Sequence, residues 1–344
     1  MEWVALGSSL LVILAGAELF TNGVEWIGEG FGLSEGVVGS VLAAVGTALP
    51  ETILPLVAIA SGHASGEEIG IGAILGAPFM LTTLAMFVVA TAVLLFARGG
   101  RRGIELEADR GVLRQDLATF LAMYALAVLA GLVHARPLHW GLAIGLVVAY
   151  VFYVRRHLRA PGERELETEA STEIRPLYLW EWSRRLRPAT APWSAASPNW
   201  PTFAQTAVSL ILIVGGARLF VSGVNTIADN LGVSHLVFAL LVAPLATELP
   251  EKFNSVLWVR RGKDTLALGN MTGAMVFQSS FPVTIGLLLT PWHLAHEALV
   301  AAVIALAAGS VLWLTIRLRG RLSAPVLLVQ GVFWGAYVVY VLSR

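Results

Sequence analysis

With 344 residues, of which 56% are hydrophobic and 13% charged, and a mean hydropathy of +0.74, the chain falls outside the ordinary soluble classes and has the composition of an integral membrane protein. Its 23 basic and 23 acidic residues cancel, so no nucleic-acid partner is expected and the placement of the charges matters more than their sum. Cysteine is absent, which excludes disulfides, thiolate metal sites and cysteine catalysis.

The start, Met1-Glu2-Trp3, lacks the basic leader region of a signal peptide, so the first apolar run is expected to stay in the membrane. A bilayer-crossing helix needs about 20 apolar residues. Ten stretches qualify: 3–22, 36–60, 69–97, 115–133, 138–154, 203–228, 234–258, 265–289, 295–315 and 324–342. The fourth and fifth are separated by little more than His134-Ala135-Arg136-Pro137, a tight turn. Between the fifth and sixth lies the one sizeable polar region, 156–202, expected as a cytoplasmic linker. Its acidic run (Glu163, Glu165, Glu167, Glu169) reads as solvated chain. For Leu177-Tyr178-Leu179-Trp180-Glu181-Trp182-Ser183-Arg184-Arg185 a plain connector is the expectation, with an amphipathic segment on the membrane surface as the alternative.

Basic residues favour cytoplasmic loops. Arg98, Arg101, Arg102, Arg110 and Arg114 form one group, eight arginines between Arg155 and Arg187 a second, Arg260, Arg261 and Lys263 a third, and Arg317, Arg319 and Arg321 a fourth. With ten spans all four groups fall on one side, and both termini face outward. Lysine is represented only by Lys252 and Lys263 against 21 arginines. That bias fits a bacterial chain, so a multi-pass protein of a bacterial plasma membrane is expected, with lipid and small inorganic cations as its partners.

One stretch occurs twice. Gly46-Thr47-Ala48-Leu49-Pro50-Glu51 returns as Ala246-Thr247-Glu248-Leu249-Pro250-Glu251, an offset of 200. At the same offset Gly16-Ala17-Glu18-Leu19-Phe20 aligns with Gly216-Ala217-Arg218-Leu219-Phe220. Further on, Gly72 to Ala77 aligns with Gly269 to Ala274 at an offset of 197. Each half holds five spans, an odd number, so the second half enters the membrane inverted. The expected fold is all-α and integral to the membrane, ten transmembrane helices in two inverted five-helix repeats, the architecture of secondary transporters. The first repeat covers 1–155 and the second 203–344.

Glu51 and Glu251 sit halfway along their spans, where ionised side chains mark ion paths or proton relays. Thr47 and Thr247 precede them by one helical turn. A proline inside each span cannot donate to the carbonyl one turn back, which leaves backbone oxygens available near Gly46 and Ala246. Carboxylate, hydroxyl and carbonyl oxygens together suit hard cations.

The doubled motif, with Gly72 to Ala77 and Gly269 to Ala274 behind it, resembles the paired alpha-repeats of the sodium/calcium exchangers in the cation/calcium antiporter superfamily. These repeats would cover about 40–82 and 240–279. The resemblance implies that Glu51 and Glu251 are the central cation ligands, that Thr47 and Thr247 add oxygens, and that Glu248, Asn270 and Gln278 are secondary candidates. The transported ions would be calcium with sodium or protons, and no cofactor is implied. Several oxygen ligands of the family pattern are replaced, by Ala48, Ala73, Ala77, Leu81 and Ala274. Lys252 either pairs with Glu248, four residues away, or points into the cavity in place of a cation. A sodium-coupled antiporter is therefore expected, with a proton-coupled antiporter or a non-transporting scaffold or sensor as alternatives. The sequence carries no His-Glu-x-x-His motif or nucleophile elbow, and no enzymatic activity is expected. Glu18 and Arg218 read as interfacial charges. His63, Glu67, Glu68, His293, His296 and Glu297 fall on the outer side, where solvated loops are expected rather than a surface metal site.

Overall fold

The computed structural model describes residues 2–31, 48–63, 65–100, 102–133, 135–157, 176–186 and 200–343. The first half contains α1 (Glu2–Gly30), α2 (Leu49–Ala60), α3 (Gly66–Met80), a π turn (Leu81–Ala85), α4 (Met86–Arg98), α5 (Arg110–Ala130) and α6 (Arg136–His157). A short helix α7 (Tyr178–Leu186) precedes α8 (Trp200–Leu231), α9 (His235–Thr247), α10 (Leu249–Arg260), α11 (Asp264–Gln278), α12 (Phe281–Leu289), α13 (His296–Arg319) and α14 (Ala324–Leu342). Strands β1 (Glu105–Leu106) and β2 (Leu322–Ser323) pair antiparallel.

Eight helical segments are long and apolar enough to cross a membrane. The two other expected spans are those that carry the repeated motif. Of 36–60, the described part is the short helix α2, and Thr47 lies outside the described residues. The run 234–258 is two short helices, α9 and α10, broken at Glu248. The break has a local cause. Pro50 and Pro250 occupy the first turn of α2 and α10, where a missing N–H costs nothing. The residues just before these helices, Ala48 (φ −85°, ψ 2°) and Glu248 (φ −90°, ψ 9°), share one non-helical backbone geometry. The prolines therefore begin α2 and α10.

Helices α1 and α8, 29 and 32 residues long, overrun the expected spans 3–22 and 203–228. Hydropathy marks where a helix leaves apolar surroundings and not where it ends. They pack along their length through small residues. A Cβ on Gly16 would meet Ile213 Cγ1 at 2.8 Å and the Ser209 carbonyl at 3.1 Å, and one on Gly216 would meet Ile13 Cγ1 at 2.8 Å and the Ser9 carbonyl at 3.1 Å. Gly23 faces Thr206 and Gly223 faces Leu6. In each pair one number rises as the other falls, so the helices are antiparallel, and the contacts repeat with the halves exchanged. Gly72 and Gly76 of α3 lie against the α9 backbone, where a Cβ would collide with the carbonyl oxygens of Leu236 and Leu240.

Residues 177–186 are more than a connector. Leu177 is buried, and α7 docks on α1 and α8. The Tyr178 amide donates to Asn22 Oδ1 (3.2 Å), its hydroxyl to Glu18 Oε1 (2.7 Å), and the Leu179 amide to Gln205 Oε1 (2.8 Å). Glu18 is thus a local anchor. At the arginine-rich end, Arg102 grips the Asp264 carboxylate with two 2.7 Å bonds and ties the halves together.

Gly76→Ala forces a backbone-to-backbone contact apart and is expected to cost about 1–3 kcal/mol. Gly215→Ala, a neighbour of the packed Gly216 with nothing within 4 Å of its Cβ position, is expected to be neutral or to stabilise by up to about 1 kcal/mol. Thermal unfolding of the two purified variants in detergent reads both effects, and equal midpoints would refute the close α3–α9 contact.

Candidate ion-binding site

The broken helices bring a carboxylate from each half together. Glu51 lies in the first turn of α2 and Glu251 in the first turn of α10, where the helix dipole favours negative charge by about 0.3–1 kcal/mol. Both are buried, at 6% and 7% exposure. Among the described residues, Glu251, Glu248 and Thr247 lie around Glu51. Among the described residues, neither oxygen of Glu51 has a hydrogen-bond partner, nor has Oε2 of Glu251. Buried carboxylate oxygens without donors are expensive in apolar surroundings, and a bound cation or proton is the natural answer to them.

Thr247 ends α9. Its hydroxyl donates to the Ala243 carbonyl at 3.2 Å, which leaves the oxygen's lone pairs available to a cation. Glu248 is fully buried in the break, and the structure realises its pairing with Lys252. Lys252 Nζ stands 3.4 Å from Glu248 Oε2 and donates to the Pro244 carbonyl at 3.2 Å. Gln278 Nε2 donates to Glu248 Oε1 at 3.4 Å. Asn270 reaches the Glu251 backbone carbonyl, also at 3.4 Å, and not its carboxylate. Glu51, Thr247, Glu248, Glu251 and Gln278 are therefore assembled at one place, Asn270 supports its backbone, and Thr47 lies outside the described residues. Among the described residues no three histidines or carboxylates form a resident metal cluster.

With Glu248 and Lys252 offsetting each other, the ionised site carries two net negative charges from Glu51 and Glu251. That charge matches one divalent cation, two monovalent cations or two protons. The C-terminal end of α9 and the N-terminal ends of α2 and α10 add oriented backbone groups of both signs, as expected of interrupted membrane helices.

Two buried polar groups escaped the sequence reading. Thr82 and Thr83 in the π turn align at offset 197 with Ser279 and Ser280, where the second half breaks between α11 and α12. Their hydroxyls donate back to carbonyls of their own helices, Thr83 to Phe79 at 2.5 Å and Ser280 to Phe277 at 2.7 Å. The repeat alignment, carried a few residues further, would have found them. Asp116 on α5 is buried and accepts from Thr272 of α11 (2.6 Å) and Tyr153 of α6 (2.9 Å), with His157 Nε2 at 3.0 Å. It ties the helix that carries Asn270 to its neighbours. A lone aspartate inside the apolar run 115–133 was its only signal.

The family model described as sodium/calcium exchanger protein matches residues 1–157 and 202–343. CaxA of Alkalimonas amylolytica, whose name carries a provisional antiporter assignment, is 25% identical over 292 residues, 82% of this chain and 79% of that protein. The inner membrane protein YrbG of Escherichia coli K12 is 24% identical over 283 residues, 82% of this chain and 78% of its own length. Among solved structures, the H+/Ca2+ exchanger CAX is similar over 99% of this chain and 87% of that chain, with a TM-score of 0.68 and 16% identity. The sodium-calcium exchanger NCX_Mj is similar over 100% of this chain and 99% of that chain, with a TM-score of 0.56 and 19% identity.

Lys252→Met alone leaves Glu248 buried and uncompensated, and is expected to destabilise by about 3–5 kcal/mol. Glu248→Gln with Lys252→Met removes both charges and is expected to recover most of that loss. A double-mutant cycle on thermal unfolding checks the pair, and additive effects would show that the two side chains act independently.

Proposed function

The chain belongs to the sodium/calcium exchanger protein family, and from that membership we propose that it is a secondary-active cation antiporter in which Glu51 and Glu251 hold the transported ions between the two halves of the protein. The observation that carries this reading is the meeting of two buried glutamates, one from each half, in the first turns of α2 and α10, with three of their four oxygens lacking a donor among the described residues. Thr247 supplies a further oxygen, and Thr47 is the equivalent candidate in the first half. Glu248 and Gln278 form a supporting layer with Lys252, and Asn270 braces the Glu251 backbone.

The full architecture is ten crossings in two inverted repeats, 1–155 and 203–344. The segments of α2 and of α9 with α10 add two spans to the eight long apolar ones. The reciprocal contacts of α1 and α8, and the matched helix starts at Leu49 and Leu249, support a two-fold relation between the halves. On this plan the arginine-rich ends and the 156–202 linker face the cytoplasm, and both termini face outward from a bacterial plasma membrane. Rocking of one half against the other would expose the shared site to each side in turn, with no covalent chemistry.

Calcium is the first candidate ion and sodium its first counter-ion. Calcium takes six to eight oxygens, and the two carboxylates with Thr247 give a partial set that backbone carbonyls and water would complete. Proton coupling is the second reading. The observation in its favour is a buried ammonium among the site's carboxylates, Lys252, with Nζ 3.4 Å from Glu248 Oε2.

Calcium uptake into proteoliposomes, driven by an internal sodium load or by a proton gradient alone, separates these readings. Sodium-driven uptake that falls at least roughly tenfold in both Glu51→Gln and Glu251→Gln, the loss of one charged ligand, is the expected result. Uptake driven only by protons would establish the second reading. Flux indifferent to both glutamates would remove them from the ion path and favour a non-transporting role.

A further inference from the structure

We infer that the pocket at the arginine-rich end of α5, α6 and α13 is a binding site for the phosphate headgroup of an anionic phospholipid. This rests on the chain spanning a membrane and not on which ions it exchanges.

The pocket measures about 730 Å³ and is lined by Arg114 of α5, Arg156 and His157 of α6, and Arg317 of α13. Among the described residues, Arg114, Arg156 and Arg317 have no carboxylate in ion-pair range, whereas Arg102 and Arg321 nearby do. Asp109 is the one acidic residue in the lining, and its side chain is committed to the start of α5, where Oδ1 accepts from the amides of Gly111 (2.6 Å) and Val112 (3.0 Å). His157 stands against Asp116 at the pocket wall. Arg317 lies over the Trp313 ring at 5.0 Å, a residue suited to headgroup depth. Three exposed guanidinium groups around one cavity are a receptor for phosphate oxygens.

A soluble phosphate would satisfy the charges alone, but the surface leading away from the pocket favours a lipid. On α5, Arg114 begins an exposed stripe that continues one turn at a time through Ala118, Ala122 and Leu126. Ala118 lines the pocket, and the two alanines would form a channel for an acyl chain along α5, which packs against both α6 and α13. Its flanks are apolar and exposed, with Phe152 one turn from Arg156, and Leu314 and Leu318 on either side of Arg317. Charge at the mouth and an apolar track below it are complementary to a headgroup with its acyl chain. Basic pockets between membrane helices on the cytoplasmic side recognise anionic lipids in this way.

The test uses the full chain in detergent, with lipid binding followed by native mass spectrometry and by the thermal unfolding midpoint. Phosphatidylglycerol is expected to bind saturably and raise the midpoint, while phosphatidylcholine and inorganic phosphate do neither. Changing Arg114, Arg156 and Arg317 together to glutamine should weaken phosphatidylglycerol roughly a hundredfold, about fivefold for each basic residue. Arg260→Gln, on the same side but outside the pocket, should leave it unchanged. Ala118→Phe keeps every arginine and fills the channel, and should weaken the lipid about tenfold through lost acyl contact. Unaltered binding in both pocket variants would overturn the proposal, as would equal binding of phosphatidylcholine. Stabilisation by inorganic phosphate alone would make the site one for a soluble anion. Lipid binding that appears only after Glu163, Glu165, Glu167 and Glu169 are changed to glutamine would make the chain's own acidic run the occupant.

Discussion

The constraint on which the rest of the structure depends is that two carboxylates stand inside an apolar slab with too few donors of their own. Glu51 and Glu251 are nearly inaccessible, and three of their four oxygens have no described partner. Such groups cannot be left to water and are costly to leave alone. Each is placed in the first turn of a helix that starts within the membrane, where free amides rather than carbonyls face it. The same proline that would damage a continuous helix is harmless at that position. Leu-Pro-Glu thus solves two problems at once, since it begins a helix at membrane depth and places an acid where the helix end can partly support it.

That solution requires close company from both halves, and the glycine contacts provide it. Antiparallel α1 and α8 touch through Gly16 and Gly216, each against the isoleucine and serine carbonyl of the other. Without hydrophobic driving force inside lipid, such small-residue contacts are what hold membrane helices together. Gly72 and Gly76 let α3 approach the α9 backbone in the same manner. Tight contact here positions α2 against the α9–α10 break. At the arginine-rich end the Arg102–Asp264 fork and the β1–β2 pair tie the two halves a second time.

Much of this was legible in the residues. The offset of 200 located both glutamates, and eight of the ten apolar runs are helical segments long enough to cross a membrane. The i,i+4 spacing anticipated the Glu248–Lys252 pair. Residue types alone did not distinguish a proline that kinks a helix from one that starts it, because the deciding quantity is the backbone geometry at Ala48 and Glu248. Hydropathy also missed the last turns of α1, 23–30, where Glu25 and Glu29 interrupt the apolar run while the helix continues. The buried role of Asp116 needed partners on α6 and α11, far off in sequence, and no local pattern signals such a cluster. Asn270, a secondary candidate by resemblance, donates its amide to the Glu251 backbone carbonyl, a contact with no local signal in the residues.

The halves differ where their chemistry is most alike, and within the site the difference in charged residues falls in one helical turn. Where the second half has Glu248 and Lys252, the first has Ala48 and Thr52, and the Thr52 hydroxyl donates to the Ala48 carbonyl at 3.0 Å. An ion pair therefore replaces a neutral contact at the same two repeat positions. Introduced singly, either charge would change the charge of the site by one unit and stand buried without a partner, at a cost of several kcal/mol. Introduced together they leave the sum from Glu51 and Glu251 intact, so the site can still hold the same total cation charge. What the pair changes is the shape and rigidity of one wall, because Glu248 is fixed by Lys252 on one oxygen and Gln278 on the other. On the proposed reading, the ion's charge is then set by the two glutamates common to both halves, and its coordination by the turn in which the halves diverge.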